Sequence, residues 1–376
     1  MPEDFRSGST GTGAHPGSGR AQNRYTYRRR RRRARPQYYG AVDLGTNNCR
    51  LLIARSQKDG FRIVDSFSRV VRLGAGLAST GRLSEQSQDA AVEAIGICAQ
   101  KMKDKGVRRW RCIATQACRA AENGEAFLAR VKQETGLSFE TISPRVEARL
   151  SVMGCLNIID TSKDVVLVVD IGGGSTELSW VDARKMRETP PEQHLRRPPI
   201  AAWASLPVGV VNLSEMHPET PGDPDWFEKM KARVREEIVR QNRDTQFTKV
   251  FQAGRGHIIG TSGTVTSLAS VLMGLTHYQR HKIDGIWVDG QAMMETSRQL
   301  GEMSLAERQM LPCIGEDRAT MILAGCAILE VIYELWPSKT IRVADRGLRE
   351  GMLMGLMKKT QIGTPRKKPA NVGRKS

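Results

Sequence analysis

The sequence predicts an α/β protein of two related domains facing each other, and three observations carry that reading. Apolar strands alternate with helical periodicities along most of residues 37–360. An aspartate closes an apolar strand at Asp43 and again at Asp170, 127 residues later, each time followed by a small-residue turn and a returning strand. A third glycine turn, Gly260-Thr261-Ser262-Gly263-Thr264, follows another apolar strand. Alternating strands and helices indicate α/β layers, and an internal repeat of this size indicates two similar domains.

Residues 38–42 read as a strand that breaks at Asp43-Leu44-Gly45-Thr46-Asn47-Asn48 and resumes over 49–54, which makes a hairpin. Ser84 caps a helix to about residue 102, with Ala91, Ile95, Cys98 and Met102 on its apolar face. Residues 109–114 form the next strand, 122–135 a helix stopped by Gly136, and 138–142 a strand. Ser143-Pro144 is a cap followed by a first-turn proline, opening a helix to about residue 159. The second unit begins with the strand 165–169, the turn at 170–177 and the strand 178–181. The proline-bearing stretch 182–202 reads as an excursion or long loop. A helix over 228–241, a helix over 265–273 after the third glycine turn, an apolar helix over 318–335, a strand over 341–344 and a helix over 347–358 complete the body.

Composition narrows the class. The chain has 376 residues, enough for two domains with real cores. Its longest aliphatic run, residues 165–169, falls far short of the roughly 20 residues that cross a bilayer. The polar start is unlike a secretory signal, so a cytoplasmic location is expected. The seven cysteines lie in apolar surroundings without C-x-x-C spacing and read as reduced core residues. His277 and His281 share a helical spacing but lack a third ligand for zinc. The net charge of +18 is unevenly spread: residues 1–36 hold ten Arg and net +8, residues 361–376 net +5, and the body only +5. Both ends are expected to be disordered basic tails. The run Arg28 to Arg33 suits contact with RNA or another polyanion, or is simply solubilising.

Gly/Ser/Thr turns at strand ends let backbone N–H groups converge on phosphate oxygens. The sequence has no G-x-x-x-x-G-K-[ST], and both aspartate turns lead into strands where a dinucleotide fingerprint would lead into a helix. Asp43 and Asp170 can reach Mg²⁺ directly or through its waters, and Glu177 can hold the same hydrated ion.

Together A-V-D-L-G-T-N-N-C-R-L, A-T-Q-A-C-R-A-A-E-N, I-S-P-R-V-E-A-R-L, V-V-D-I-G-G-G-S-T-E-L, S-L-P-V-G-V-V-N-L, G-T-S-G-T-V-T-S-L-A and G-L-R-E-G-M-L resemble the exopolyphosphatase and guanosine-pentaphosphate phosphohydrolase family, in the family's order, over about residues 38–357. The resemblance implies two ribonuclease-H-like domains of the actin, sugar-kinase and heat-shock chaperone superfamily with an interdomain cleft. The first would span 37–161, with the helix 346–360 packing back on it, and the second 162–345. It also implies Mg²⁺-dependent release of terminal phosphate from inorganic polyphosphate, guanosine pentaphosphate or both. Matched position by position, Glu147 is the catalytic glutamate that handles water, and Arg119 contacts the phosphate chain. Asp43, Gly45, Thr46 and Asn47 form the first phosphate loop, and Gly172, Gly173, Gly174 and Ser175 the second, with Gly263 and Thr264 in the third turn. Asp170 and Glu177, with Asp43, form the metal and water shell.

Pro144 and Val146 depart from the family's S-G-x-E-E-A-R, which puts rate and metal preference in question more than reaction class. A small-molecule kinase of the same superfamily and a non-catalytic polyanion or alarmone binder remain the alternatives. The sequence leaves open the preference between the two substrates, the chain length preferred and whether the protein is a homodimer.

Overall fold

The computed structural model describes residues 37–362, apart from 58–59, 221–222, 224 and 244. The basic segment 1–36, with its Arg run, lies outside the described residues, as does the basic end beyond residue 362.

The first sheet contains β1 (Tyr38–Leu44), β2 (Asn48–Gln57), β3 (Gly60–Val70), β4 (Arg109–Ala114) and β5 (Glu140–Thr141), in the order β3-β2-β1-β4-β5. The second contains β6 (Val165–Ile171), β7 (Thr176–Asp182), β8 (Ile200–Leu206), β9 (Gly256–Thr261), β10 (Trp287–Asp289) and β11 (Thr340–Ala344), in the order β10-β11-β9-β6-β7-β8. Reading the second from its far edge, β8-β7-β6-β9-β11 repeats β3-β2-β1-β4-β5. In each, three antiparallel strands are followed by two parallel ones. The repeat announced by the two aspartate turns is thus a repeat of whole sheets, the ribonuclease-H-like arrangement. Among the described residues only β10 is additional, antiparallel to β11. Register places Asp43 opposite Arg50 and Asp170 opposite Glu177, so the two hairpins carry different charges at matching positions.

Local chemistry accounts for most elements. The helix Glu85–Asp104 is capped by the Ser84 hydroxyl, which accepts from the Ser87 N–H, and its predicted apolar face is buried against β1 and β2. Gly136 ends the helix Gly124–Thr135 in the left-handed region at φ 74°. Ser143 caps the helix Pro144–Cys155, with Pro144 in its first turn.

Five of the expected elements differ. The stretch 182–202 holds two short helices, Ala183–Glu188 and Pro191–His194, and leads into the edge strand β8. Its prolines open the second helix and precede the strand, positions where a missing N–H costs little. The helix expected over 318–335 is broken at Thr320 and Met321, between Glu316–Ala319 and Ile322–Leu335. The strand expected over 138–142 shortens to the two-residue β5, and the helix expected to 159 ends at Cys155 and tightens into a 3₁₀ turn, Leu156–Ile158. The third turn is not a separate loop: β9 runs straight into the helix Ser262–Leu272, so Gly263 and Thr264 lie in its first turn.

The last helix, Leu348–Ile362, runs two residues into the stretch expected to be tail. It returns to the first sheet, where Met352, Leu353 and Met357 join Tyr39, Ala41, Leu52 and Ile113 in one core with Leu150 and Met153. Glycines allow this crossing. A Cβ on Gly154 would sit 2.0 Å from the Gly347 carbonyl oxygen, and one on Gly351 2.1 Å from that of Leu150. All seven cysteines are free and buried, and Cys49 and Cys98 sulfurs stand 4.0 Å apart, about twice a disulfide's length. No helix among the described residues is long and apolar enough to cross a membrane.

Candidate active site

The ends of β1 and β6 open into one cleft of about 530 Å³. The first loop is set by the strand it leaves. Gly45 N–H donates to Asn48 O at 2.9 Å, while Val71, Arg72 and Gly74 donate from the chain beyond β3 to the Asn47 and Thr46 carbonyls at 2.8, 3.0 and 2.8 Å. The second loop is braced from the other side: Val210 N–H donates to Gly172 O and Val211 N–H to Gly173 O, at 2.9 and 2.7 Å. In a trans peptide the following N–H points opposite the carbonyl, so the Gly173 and Gly174 amides turn away from that brace. The loops touch. A Cβ on Gly173 would lie 2.9 Å from Thr46 Cβ, and one on Gly174 2.2 Å from Gln116 Oε1. Thr46 Oγ1 itself donates to Gln116 Oε1 at 3.2 Å.

Carboxylates gather between the loops. Ser205 Oγ donates to Glu177 Oε1 at 2.8 Å, and Ser151 Oγ donates to Asp170 Oδ2. Glu147 lies in the first turn of its helix, 8% exposed, with Oε2 3.5 Å from Arg119 Nη1, an ion pair without a hydrogen bond. Arg119 instead donates to the Ile142 carbonyl at 2.7 Å. Five buried oxygens of this region have no hydrogen-bond partner: Asp43 Oδ1, Asn47 Oδ1, Glu147 Oε2, Thr261 Oγ1 and Ser262 Oγ. Buried polar atoms are ordinarily satisfied, so orphans concentrated in one cleft indicate a polar ligand.

Burial raises the proton affinity of Asp43, partly offset by the Arg50 and Arg349 charges. It raises Glu147 well above the usual carboxylate range, reinforced by Glu177. Glu177 is pushed up to about 7 by burial and then by Asp170, against hydrogen bonds from Ser205 and Ser175. Among the described residues no three His, Cys, Asp or Glu side chains form a metal cluster by themselves, at His277 and His281 or here. The donor set suits a hydrated Mg²⁺, which keeps waters and is shared between one or two carboxylates and phosphate oxygens. The orphaned Asp43 Oδ1 and the neighbouring carboxylates of Asp170 and Glu177 fit that mode.

These shifts carry a pH signature. A carboxyl with a raised native pKa binds more protons folded than unfolded, so its stabilising contribution is present below about 4.5 and lost as pH rises through about 7. Without divalent cations the melting temperature should therefore fall between about pH 5 and about pH 8. Mg²⁺ should recover more of it at the higher pH, and Glu177→Gln should flatten the profile. Thermal scans of both proteins with and without Mg²⁺ check this; a wild-type profile no steeper than that of Glu177→Gln would count against it.

Asp43, Gly45, Thr46, Asn47, Glu147, Asp170, Gly172, Gly173, Gly174, Ser175, Glu177, Gly263 and Thr264 all line the cleft. Arg119 does not; it lies against Glu147. Sequence reasoning missed Gln116, Arg50, Arg280, Arg318 and Arg349, which also line it, and the orphaned hydroxyls of Thr261 and Ser262. Five of these had a signal: Arg50 faces Asp43 across the predicted hairpin, Arg349 sits inside G-L-R-E-G, Gln116 inside A-T-Q-A-C-R-A-A-E-N, and Thr261 and Ser262 inside the third glycine turn. Arg280 and Arg318 lie outside those motifs and gave none, and nothing in the sequence marked the φ of 94° that Ser262 adopts at the junction of β9 and the helix. Residues 72–76 also bridge to the second sheet's side, through Arg72 with Asp317 at 3.2 Å and Gly76 N–H with Glu215 Oε1 at 3.0 Å.

Comparison with known proteins gives a consistent result. The model of the Ppx/GppA phosphatase family matches residues 52–360. A guanosine-5'-triphosphate,3'-diphosphate pyrophosphatase of Photobacterium profundum is 28% identical over 328 residues, covering 85% of this chain and 59% of that protein. The chain therefore spans less than two thirds of that relative. The crystal structure of an Aquifex aeolicus Ppx/GppA family member superposes with a TM-score of 0.69 at 27% identity, covering 88% of this chain and 99% of that one. An exopolyphosphatase from Cytophaga hutchinsonii shares the fold, with a TM-score of 0.72 at 24% identity over 85% of this chain and 99% of that one.

Proposed function

Because the chain belongs to the Ppx/GppA phosphatase family, we propose that it is a phosphoanhydride hydrolase releasing terminal phosphate from inorganic polyphosphate, guanosine pentaphosphate or both. The observation that carries the reading is the pairing of two touching glycine-rich loops with an orphaned, buried Glu147 carboxylate oxygen. Residues 37–161 with 346–360, and 162–345, are read as the two domains that supply opposite walls.

The terminal phosphoryl group would sit between the loops at 43–48 and 170–176, its oxygens taken by backbone N–H groups that need no reorganisation. Glu147 Oε2 would accept the proton of the attacking water; its burial raises proton affinity, which suits a base. Arg119, held by Ile142 O, would fix the glutamate's orientation and keep it charged. Asp43, Asp170 and Glu177 would hold Mg²⁺, which when bound offsets phosphate charge. Ser151 and Ser205 would keep two of those carboxylates in place. The departures leave this arrangement intact: Val146 packs against the core beneath the helix, and Pro144 sits where its missing N–H is not needed.

Phosphate release from polyphosphate, guanosine pentaphosphate and ATP, each with and without Mg²⁺, tests the reading. Release from at least one of the first two, dependent on Mg²⁺ and without an acceptor, is expected. Turnover of ATP alone, raised by an added acceptor, would make the protein a kinase; binding of polyphosphate without turnover would make it a sensor.

A further inference from the structure

The helix that carries Glu147 toward the cleft shows a different chemistry on its outer side. Arg145 and Arg149, one turn apart, are both exposed there. Arg149 Nη2 donates to the Arg196 carbonyl at 2.7 Å, and Lys358 Nζ from the last helix donates to the Glu192 carbonyl at 2.9 Å. Both cations are thus anchored by backbone oxygens of one turn, 192–196, which fixes them without neutralising them.

That turn is itself held. Arg196 and Arg197 N–H both donate to Gln193 O, at 2.9 and 2.8 Å, and His194 Nε2 lies 2.7 Å from Thr189 Oγ1. Leu195 packs against a buried core, leaving Arg196 and Arg197 outermost and exposed. Among the described residues none of these four arginines pairs with a carboxylate, and Glu192 supplies the acidic charge acting on Lys358. Burial, and then the Arg196 charge, hold the Lys358 ammonium below its usual range, against the Glu192 charge. The excursion that composition suggested over 182–202 is thus an ordered platform presenting cations beside the catalytic helix.

We infer that Arg145, Arg149, Arg196, Arg197 and Lys358 form a second phosphate-chain site, which takes the distal phosphates of a long inorganic polyphosphate whose end lies in the cleft. Guanidinium forks set on an ordered turn, with Arg149 and Lys358 anchored, match repeated phosphate oxygens and lower the entropy cost of assembling them. Chains must span the helix, about 10 Å across, to use both sites, so short substrates ignore the second one. The inference rests on polyphosphate being a substrate.

The test uses the full-length chain and the double variant Arg196→Glu/Arg197→Glu, with Arg196→Ala/Arg197→Ala as a milder pair that leaves the turn's backbone bonds in place. Calorimetric binding of long-chain polyphosphate at two salt concentrations is measured alongside kcat/KM for long-chain polyphosphate and for tripolyphosphate. The charge-reversed protein should bind the long chain about tenfold more weakly, with its log affinity falling less steeply with log salt by roughly one unit. Its KM for the long chain should rise, and kcat/KM for tripolyphosphate should not change. Equal affinity and equal salt slope in wild type and both variants would overturn the site. So would loss of binding to an RNA oligonucleotide with polyphosphate unaffected, which would make the patch an RNA contact. If the wild type released no phosphate from any substrate, the hydrolase reading would fail, and the binding comparison would still decide the patch.

Discussion

Glu147→Gln should lower kcat for phosphate release by about 10²- to 10⁴-fold while leaving polyphosphate binding near the wild-type level. The amide keeps the shape of the side chain but cannot take the proton of water. The helix is capped by Ser143 and buried through Leu150 and Met153, so its position does not depend on the carboxylate. The phosphate contacts assigned to the two glycine loops are untouched. Removing one negative charge from a site that also holds Asp43, Asp170 and Glu177 should, if anything, favour an anionic substrate. Steady-state release and calorimetric binding on the same preparation separate the two effects. A variant with near-wild-type kcat would reduce Glu147 to a helix-end carboxylate stabilising the local dipole.

Gly173→Val should abolish most productive phosphate-chain binding by forcing the loops apart. Gly173 does not have positive φ, so the cause is space and not backbone conformation. Its added Cβ would meet Thr46 Cβ at 2.9 Å, the Asn47 nitrogen at 3.3 Å and Val211 Cγ2 at 3.3 Å, before valine's two methyl groups are considered. Thr46 is pinned by the Gly74 and Gln116 hydrogen bonds, and the opposite wall by Val210 and Val211, so neither side yields cheaply. Displacing a phosphate cradle by about 1 Å can cost on the order of 10²-fold in rate. Gly173→Ala should fall between wild type and valine. The measurements are kcat/KM and melting temperature: normal turnover in a protein of unchanged stability would sink the cradle. Overpacking is expected to cost about 1–3 kcal/mol, small beside the loss of function.

How much of this was present in the sequence depends on the range of the interaction. Signals that act within a turn or a strand survived folding nearly unchanged: Ser84 and Ser143 as caps, Gly136 as a stop, strand 109–114, and the aspartates that end β1 and β6. The spacing of those aspartates foretold two equivalent sheets, because a repeated hairpin imposes the same register on whatever pairs beside it. Motif resemblance named the loop glycines and the carboxylates that line the cleft, but it could not say how they meet.

Tertiary structure decided the rest. Proline content made 182–202 look like a loop, whereas Leu195, His194 and the pairing of β8 with β7 turn it into an ordered edge. An uninterrupted apolar period over 318–335 hid a break that leaves Arg318 in the cleft, donating to Ser267 Oγ at 2.8 Å. Arg119 was expected to contact the phosphate chain, and the sequence held no sign that its Nη1 would donate to a carbonyl 23 residues away. The contact of Gly173 with Thr46, the crossing of Gly154 and Gly351, and the raised proton affinity of Glu147 all arise between segments distant in the chain. A linear pattern records which side chains each segment can offer; burial and close approach, which set their chemistry, exist only once the two sheets share a cleft.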